Sequence, residues 1–263
     1  MAIEVKVRRF LYPVLRMVRR VLYFTTPKRI QSYNSHNLAE KILTADLDAL
    51  DESASFGCQL WKLDFKEGTG LRVLDFGGGS GRCGFEEVGR LASAWAVVET
   101  SEMTTVANRL YSQPGLSFFD SIEQARNWLG EVDAVHVSSA LQYTDSPLDT
   151  LRTLLNTNPR IVVFEKLVVS TASAQRFLQY SFLRDNLGGR SIGVARQSGS
   201  VRYWLFAESE AALFEALRGA SYEIVQRWED PIQSHLPLGK GLRQIGLVAM
   251  RSSQSSTIAW QDA

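Results

Sequence analysis

The sequence predicts an α/β fold built on a mostly parallel sheet with helices on both faces. Three observations carry this prediction. Short apolar runs alternate with longer helical segments, a glycine-rich turn directly follows the first run, and the C-terminal part has the pattern helix, strand, loop and strand. Strands buried on both faces and separated by helical crossovers form parallel sheets, whereas a closing strand–loop–strand predicts an antiparallel pair.

The predicted elements follow one another along the chain. A helix over 36–50 comes first, and a helical segment with Phe85, Val88 and Leu91 follows the glycine turn. A later helix has Ser146 or Asp145 as its cap and Pro147 in its first turn, and the last helix covers Ser209–Gly219. The predicted strands are Leu71–Phe76, Trp95–Glu99, Leu116–Phe119, Ala134–Ser138, Ile161–Phe164, Tyr222–Trp228 and Gln244–Met250.

The segment Val168–Val201 is polar and rich in glycine, so we expect irregular structure there, either a substrate-facing loop region or a surface insertion. The predicted domain organisation is a basic amphipathic extension over 1–30, one domain over 31–251 and a frayed tail over 252–263.

Composition excludes several classes of protein. The chain has 263 residues, of which 45% are apolar and 22% charged, as in ordinary globular proteins. Two cysteines, Cys58 and Cys83, and three histidines are too few for a disulfide framework or an ordinary zinc site. We therefore expect no metal and a reducing, cytoplasmic location.

Residues 1–29 differ from the body in charge. They hold eight basic residues and one acid, a local charge of +7, so the net charge of +1 leaves −6 for the remainder, which argues against nucleic-acid binding. Apolar residues at 11, 14, 15, 18, 21 and 22 share one helical face, but arginines interrupt every run that could span a membrane or serve as a signal peptide. Three interpretations stay open: a helix packed on the body, contact with an anionic membrane, and docking to a partner.

The strongest motif is the run Val73-Leu-Asp-Phe-Gly-Gly-Gly-Ser-Gly81, which links an apolar strand to a helix-compatible stretch. This context is typical of nucleotide-binding loops, because glycines let the backbone turn sharply and approach a ligand. Glu99 ends the second strand, with Thr100 beside it, where a carboxylate can accept hydrogen bonds from both ribose hydroxyls. The segment Gly79–Gly84 also matches GxGxxG, so a nicotinamide-binding protein stays an alternative.

Asp75 favours a different nucleotide ligand. The arrangement Asp-x-Gly-x-Gly-x-Gly at the end of a strand resembles the first motif of class I S-adenosylmethionine-dependent methyltransferases. The resemblance implies a Rossmann-like, mostly parallel seven-stranded sheet with an antiparallel last strand, and S-adenosylmethionine as the cofactor. It also implies that Asp75 organises the loop and that the glycines hold the methionine part of the donor: Gly77, Gly78, Gly79 and Gly81.

Further segments narrow the resemblance to a little-studied group of bacterial methyltransferases often associated with surface-polysaccharide gene clusters. The matching segments, spread over about residues 31–250, are Leu74-Asp-Phe-Gly-Gly-Gly, Trp95-Ala-Val-Val-Glu99, Leu116-Ser-Phe-Phe-Asp-Ser-Ile122, Ser138-Ser-Ala-Leu-Gln-Tyr143 with Pro147, and Tyr203-Trp204. The sequence departs from the group at Ser80 and over 82–84. We expect methyl transfer to oxygen of a small-molecule or glycan acceptor, although the resemblance does not supply the acceptor.

Four more residues belong to the predicted site. Asp120 follows the third strand, where it either bonds the adenine amino group or caps the next helix. Ser138 ends the fourth strand beside the expected crevice. Gln142 and Tyr143 follow at its lip, where they either face the donor methyl group or satisfy a turn.

A catalytic base is needed only if the acceptor is an un-ionised hydroxyl or amine. His235, in the loop before the last strand, is the candidate base, whereas we expect His136 to be a core residue and His36 a capping or surface residue. Glu165 and Lys166 are further crevice candidates or a solvated ion pair. Two other functions stay open: a methyltransferase-like binding protein without catalysis, and an NAD-dependent oxidoreductase.

Overall fold

The computed structural model describes residues 29–30, 39–40, 42–44, 68–182, 200–229 and 241–252. Within these ranges, ten strands form one sheet system. They are β1 (Arg29–Ile30), β2 (Leu71–Phe76), β3 (Ala92–Val98), β4 (Leu116–Phe119), β5 (Ala134–Ser138), β6 (Ile161–Ser170), β7 (Gln175–Phe182), β8 (Ser200–Ser209), β9 (Tyr222–Glu229) and β10 (Leu242–Arg251). The helices are α1 (Arg82–Glu87), α2 (Ser101–Tyr111), α3 (Ile122–Leu129), α4 (Pro147–Leu155) and α5 (Glu210–Gly219), with a 3-10 turn at Leu141–Tyr143.

Seven of these strands form the predicted sheet. The strands β4, β3, β2, β5 and β6 lie side by side and parallel, and β10 runs antiparallel between β6 and β9. This order confirms the predicted Rossmann-like fold with an antiparallel last strand. The chain reverses its direction of winding between β2 and β5, so the crevice outside their carboxyl ends is the expected ligand position.

The sheet divides the core into two layers, because alternate residues of each strand point to opposite faces. On one face Val73 and Trp95 pack with α2 and with the helical residues Ala39, Ile42 and Leu43. On the other face Leu74 and Ala96 pack with α3, α4 and α5. Helices therefore cover both faces, as the apolar runs predict.

Two predicted helix starts are confirmed. Pro147 is the first residue of α4 and Ser146 occupies its cap position, although the Ser146 hydroxyl donates to Asp149 at 2.6 Å instead of accepting from the backbone. Ser209 caps α5, where its Oγ accepts the Ala212 N–H at 3.3 Å. The helix predicted over 36–50 is described only at 39–40 and 42–44.

The helical segment after the glycine turn is shorter than the apolar pattern predicts. It ends at Glu87, which leaves Val88 and Leu91 outside it, and Phe85 is exposed. Within this helix lies Gly84, where a Cβ would approach Trp95 Cδ1 to 2.5 Å. The backbone of α1 therefore lies directly on the Trp95 ring. This contact requires a glycine at position 84, so the spacing of apolar residues does not predict it.

The prediction of irregular structure over Val168–Val201 is wrong for much of that segment. The strand β6 extends to Ser170, and β7 pairs antiparallel with β8, which also pairs with β1 and, at its end, with β6. Buried and exposed side chains alternate along β8, as in a strand with one face in the core: Leu205 and Ala207 are buried, whereas Arg202 and Trp204 are exposed. Residues 183–199 lie outside the described part, and the domain boundaries stay predictions.

In the described part of the chain, no helix is long and apolar enough to cross a bilayer.

Candidate functional site

The glycine loop lies between β2 and α1 and takes a conformation that requires glycine. Gly77 has a φ of 72°, its N–H donates to the Val98 carbonyl at 2.8 Å, and a Cβ there would approach Ala140 Cβ to 2.2 Å. Gly79 has a φ of 60°, and no atom lies within 4 Å of the position that its Cβ would take. The loop is thus packed against the protein at Gly77 and open to a ligand at Gly79.

Glu99 lies directly against this loop. Its Oε1 accepts the Gly79 N–H at 3.1 Å and its Oε2 accepts the Thr100 N–H at 3.0 Å. Burial raises the pKa of Glu99 and the nearby charge of Asp75 adds to the rise, while the two backbone donors act against it. Each carboxylate oxygen has two lone pairs, so both can still accept a further hydrogen bond.

Thr100 has a structural task as well. Its Oγ1 accepts the Met103 N–H at 3.4 Å and so caps α2. The cap fixes the start of α2 directly after Glu99, and this fixes the position of the carboxylate at the mouth of the loop.

Asp75 lies beneath the loop. Its Oδ2 accepts the Trp95 indole N–H at 3.0 Å, and a Cβ on Gly78 would approach the same oxygen to 2.3 Å. The carboxylate is buried, so it supports the loop backbone from below. Only a glycine at position 78 leaves room for it.

Asp75 has a second partner that sequence reasoning missed. Its Oδ1 lies 2.8 Å from His136 Nδ1, and His136 Nε2 lies 3.1 Å from Glu165 Oε1. His136 is buried as predicted, but Glu165 is also buried and is no solvated surface residue. The strand register could have indicated the contact, because β2, β5 and β6 are neighbours and all three residues point to the same face.

A second polar cluster surrounds Gln142 and Tyr143. Gln142 Nε2 donates to the Lys166 carbonyl at 3.1 Å and to Ser139 Oγ at 3.3 Å, and the Tyr143 hydroxyl donates to Gln179 Oε1 at 3.5 Å. Both glutamines are buried, and within the described structure Gln142 Oε1 and Gln179 Nε2 have no hydrogen-bond partner. The cluster therefore holds one unused acceptor and one unused donor.

Tyr143 lies in this cluster as a neutral phenol. Burial strongly raises the pKa of Tyr143, and the neighbouring Tyr203 ring, in edge contact at 5.1 Å between centroids, adds to the rise. Its hydroxyl can donate a hydrogen bond to a ligand, but it does not supply a base at neutral pH.

Two residues beside this cluster, one directly after β5 and one within β6, have unusual backbone geometry. Ser139 and Lys166 have φ values of 54° and 52°, and the Ser139 N–H donates to the Glu165 carbonyl at 2.8 Å. Residues with a side chain rarely adopt this conformation, which costs about 1–3 kcal/mol and is concentrated at functional sites. Ser138 precedes this strained position at the end of β5.

Asp120 does not cap the following helix. Ser121 is the cap of α3, where its Oγ accepts the Gln124 N–H at 3.3 Å. The exposed Asp120 carboxylate instead accepts from the Gln124 side chain at 2.9 Å and from Ser101 Oγ at 3.4 Å. The capping interpretation is therefore wrong, and Asp120 stays available at the carboxyl end of β4. The candidate base His235 and also His36 lie outside the described residues.

Replacing Trp95 with Phe tests how firmly Asp75 is held. The change removes the indole N–H from a buried carboxylate and leaves a small cavity, so we expect the free energy of unfolding to fall by about 2–4 kcal/mol. Urea denaturation measures the change. Trp128→Phe is the matched control, since Trp128 is 41% exposed and should change stability by less than about 0.5 kcal/mol. Equal effects of the two changes would contradict the assigned contact.

The proteins to which this chain is similar are found among solved structures. No family model matches the sequence, and no curated protein matches it either. Among solved structures, an S-adenosylmethionine-dependent methyltransferase from Mesorhizobium loti is similar at 16% identity and a TM-score of 0.47, over 77% of this chain and 100% of the other.

Two further solved structures contain S-adenosylhomocysteine. The N-terminal domain of EvdMO1, also with D-fucose, is similar at 13% identity and a TM-score of 0.46, over 90% of this chain and 96% of the other. Magnesium protoporphyrin IX methyltransferase (ChlM) from Synechocystis PCC 6803 is similar at 14% identity and a TM-score of 0.45, over 95% and 100%. Since these TM-scores are below 0.5, the fold is assigned from the strand order and not from these likenesses.

Proposed function

We propose that this protein is an S-adenosylmethionine-dependent methyltransferase that binds its donor over the glycine loop. The observation that carries the proposal is the contact between Glu99 and Gly79, at 3.1 Å, in front of a buried acid beneath the same loop. Glu99 would accept hydrogen bonds from the ribose hydroxyls, and Gly79 would let the methionine part approach the backbone. Asp120 would bond the adenine amino group from the neighbouring strand end.

The proposed reaction is methylation at oxygen. A lone pair of the acceptor oxygen forms the new bond to the methyl carbon while the carbon–sulfur bond of the donor breaks. The electron pair of the broken bond stays on the sulfur, so the second product is the neutral thioether S-adenosylhomocysteine. Alignment of the two reactants and exclusion of water supply most of the acceleration, so no single side chain is obligatory. The hydroxyl proton passes to a base, for which His235 is our candidate, or to water.

The polar cluster supports a hydroxyl-bearing acceptor of small-molecule or glycan type. Gln142 Oε1 can accept a hydrogen bond and Gln179 Nε2 can donate one, and neither has a partner among the described residues. A hydroxyl group donates one hydrogen bond and accepts others, so it can pair with either atom, whereas a purely apolar acceptor pairs with neither. We propose that Gln142 and Tyr143 orient this hydroxyl.

Calorimetric titration tests the proposed function. We expect S-adenosylhomocysteine to bind and NAD not to bind, and incubation of cell extract with a labelled donor should then yield a methylated product. Binding of NAD alone would instead support an oxidoreductase. Donor binding without any labelled product would support a binding protein of the same fold.

We also propose that the protein contacts the cytoplasmic surface of an anionic membrane through residues 1–29. One face of the β7–β8 hairpin supports the membrane contact. This face is formed by Arg176, Leu178, Arg202, Trp204 and Phe206. The Arg176 guanidinium lies 4.0 Å from the Trp204 ring centroid and 4.7 Å from that of Phe206. Aromatic rings and arginines together suit the headgroup region of a bilayer. The strand β1, which pairs with the start of β8, joins this hairpin to residues 1–28.

Vesicle sedimentation tests the membrane contact. We expect the full chain to sediment with vesicles containing phosphatidylserine but not with phosphatidylcholine alone, and deletion of 1–28 to abolish most of this binding. Trp204→Ala, at a side chain that is 44% exposed, should weaken it several-fold, whereas Trp128→Ala on α3 should not. Equal sedimentation of the deletion variant and the full chain would refute the contact.

A further inference from the structure

Three buried side chains form a continuous chain across neighbouring strands, and we name it the carboxylate–imidazole chain: Asp75, His136 and Glu165. Their exposed fractions are 1%, 2% and 7%. The two contacts that join them are 2.8 Å and 3.1 Å long. Nothing in methyl transfer itself requires this arrangement, because the buried imidazole lies behind the loop and away from an acceptor.

The two contacts indicate the charge that these three groups carry together. Each of the two short nitrogen–oxygen contacts contains one hydrogen. Two carboxylates and one imidazole ring that share two hydrogens carry a net charge of −1, wherever the hydrogens lie. Asp75 Oδ2 accepts from the Trp95 indole, and with His136 Nδ1 as the donor Oδ1 accepts as well, which is the pattern of an ionised carboxylate.

The Asp75 carboxylate lies on the buried side of the glycine loop, and the proposed ligand lies on the opposite side. The Asp75 carboxylate contacts the Gly78 backbone, where a Cβ would come within 2.3 Å of Oδ2. A charge acts across this short distance with little screening, since the Asp75 carboxylate is buried and lies directly against the loop backbone. An unpaired charge would be costly in this position, so a hydrogen bond donated by His136 Nδ1 would stabilise a charged Asp75 carboxylate.

We propose that His136 and Glu165 are positioning residues that hold Asp75 ionised beneath the loop, and that the loop thereby prefers a cationic adenosyl ligand to a neutral one. This inference rests on the proposed function. S-adenosylmethionine carries a sulfonium charge that S-adenosylhomocysteine lacks. The carboxylate–imidazole chain would therefore favour donor entry and product release.

Binding ratios separate a charge effect from a structural one. The probes are S-adenosylhomocysteine and sinefungin, an analogue with a protonated amine in place of the methylsulfonium. Asp75→Asn should lower the preference for sinefungin by about tenfold, the effect of one unit charge at short range. His136→Leu should shift the ratio in the same direction, because the buried Asp75 carboxylate then loses the imidazole that pairs it. His136→Gln, which can still donate, should restore the ratio to within about twofold of wild type.

Trp128→Phe is the matched control, since this side chain is 41% exposed and lies outside the carboxylate–imidazole chain, so the change should leave the ratio near the wild-type value. If His136→Leu does not fold, the comparison of Asp75→Asn with His136→Gln decides the question. Equal losses of affinity for both ligands in Asp75→Asn would overturn the proposal but leave the proposed function intact. Failure of the wild-type protein to bind either ligand would overturn both.

Discussion

Gly77→Ala should destabilise the protein by about 2–5 kcal/mol and abolish donor binding. Two physical costs add at this position. A side chain at a φ of 72° costs about 1–2 kcal/mol, and a Cβ placed 2.2 Å from Ala140 Cβ forces overpacking worth about 1–3 kcal/mol more. Urea denaturation measures the loss of stability, and titration with S-adenosylhomocysteine measures the loss of donor binding.

Gly79→Ala is the matched control for this change. Gly79 has a similar φ of 60°, but a Cβ at this position would meet no atom within 4 Å. Only the backbone cost of about 1–2 kcal/mol should therefore remain. Donor binding should nevertheless fall at least about tenfold, because the new methyl group occupies the open side of the loop.

A second substitution tests the origin of the Gly77 effect. Adding Ala140→Gly to Gly77→Ala removes the close approach and should restore about 1–3 kcal/mol. If Gly77→Ala is no less stable than Gly79→Ala, or if the double variant recovers nothing, the packing of the loop against Ala140 is wrongly assigned.

Glu99→Ala should weaken the binding of S-adenosylhomocysteine about 100-fold, or about 2.7 kcal/mol. The variant loses two charge-assisted hydrogen bonds to the proposed ribose hydroxyls, each worth about 1.5–3 kcal/mol before compensation by water. Glu123→Ala, at an exposed acid in the first turn of α3, is the control and should leave the affinity unchanged. Calorimetry measures both variants.

The same binding should depend on pH in a predictable direction. Burial raises the pKa of Glu99 above the ordinary value of 4.5, and the ribose hydroxyls donate to the ionised form. Affinity should therefore be constant near neutral pH and fall as pH decreases toward the raised pKa, earlier than an ordinary glutamate would cause. In Glu99→Gln this dependence should disappear. An unchanged pH profile in Glu99→Gln would show that another group titrates.

Some strands are predictable from sequence because local pattern and burial agree there. Leu71–Phe76, Leu116–Phe119 and Ala134–Ser138 have the predicted bounds, since each apolar run is closed by turn-forming or polar residues. The prediction for β6 ends too early, at Phe164. Glu165 and Lys166 interrupt its apolar pattern, although Glu165 is buried against His136. A buried charged residue resembles the end of a strand until its partner on another strand is known.

The sequence by itself determined the class of the sheet, the position of the glycine loop and the acid at the end of β3. These depend on periodicity, glycine spacing and residue order, which are local properties of the chain. Only the tertiary structure decided that Asp75, His136 and Glu165 touch, that Tyr143 contacts Gln179, and that β7 and β8 form a hairpin. These contacts join residues that lie up to 61 positions apart, so they depend on which strands become neighbours and in what register, which no local pattern specifies.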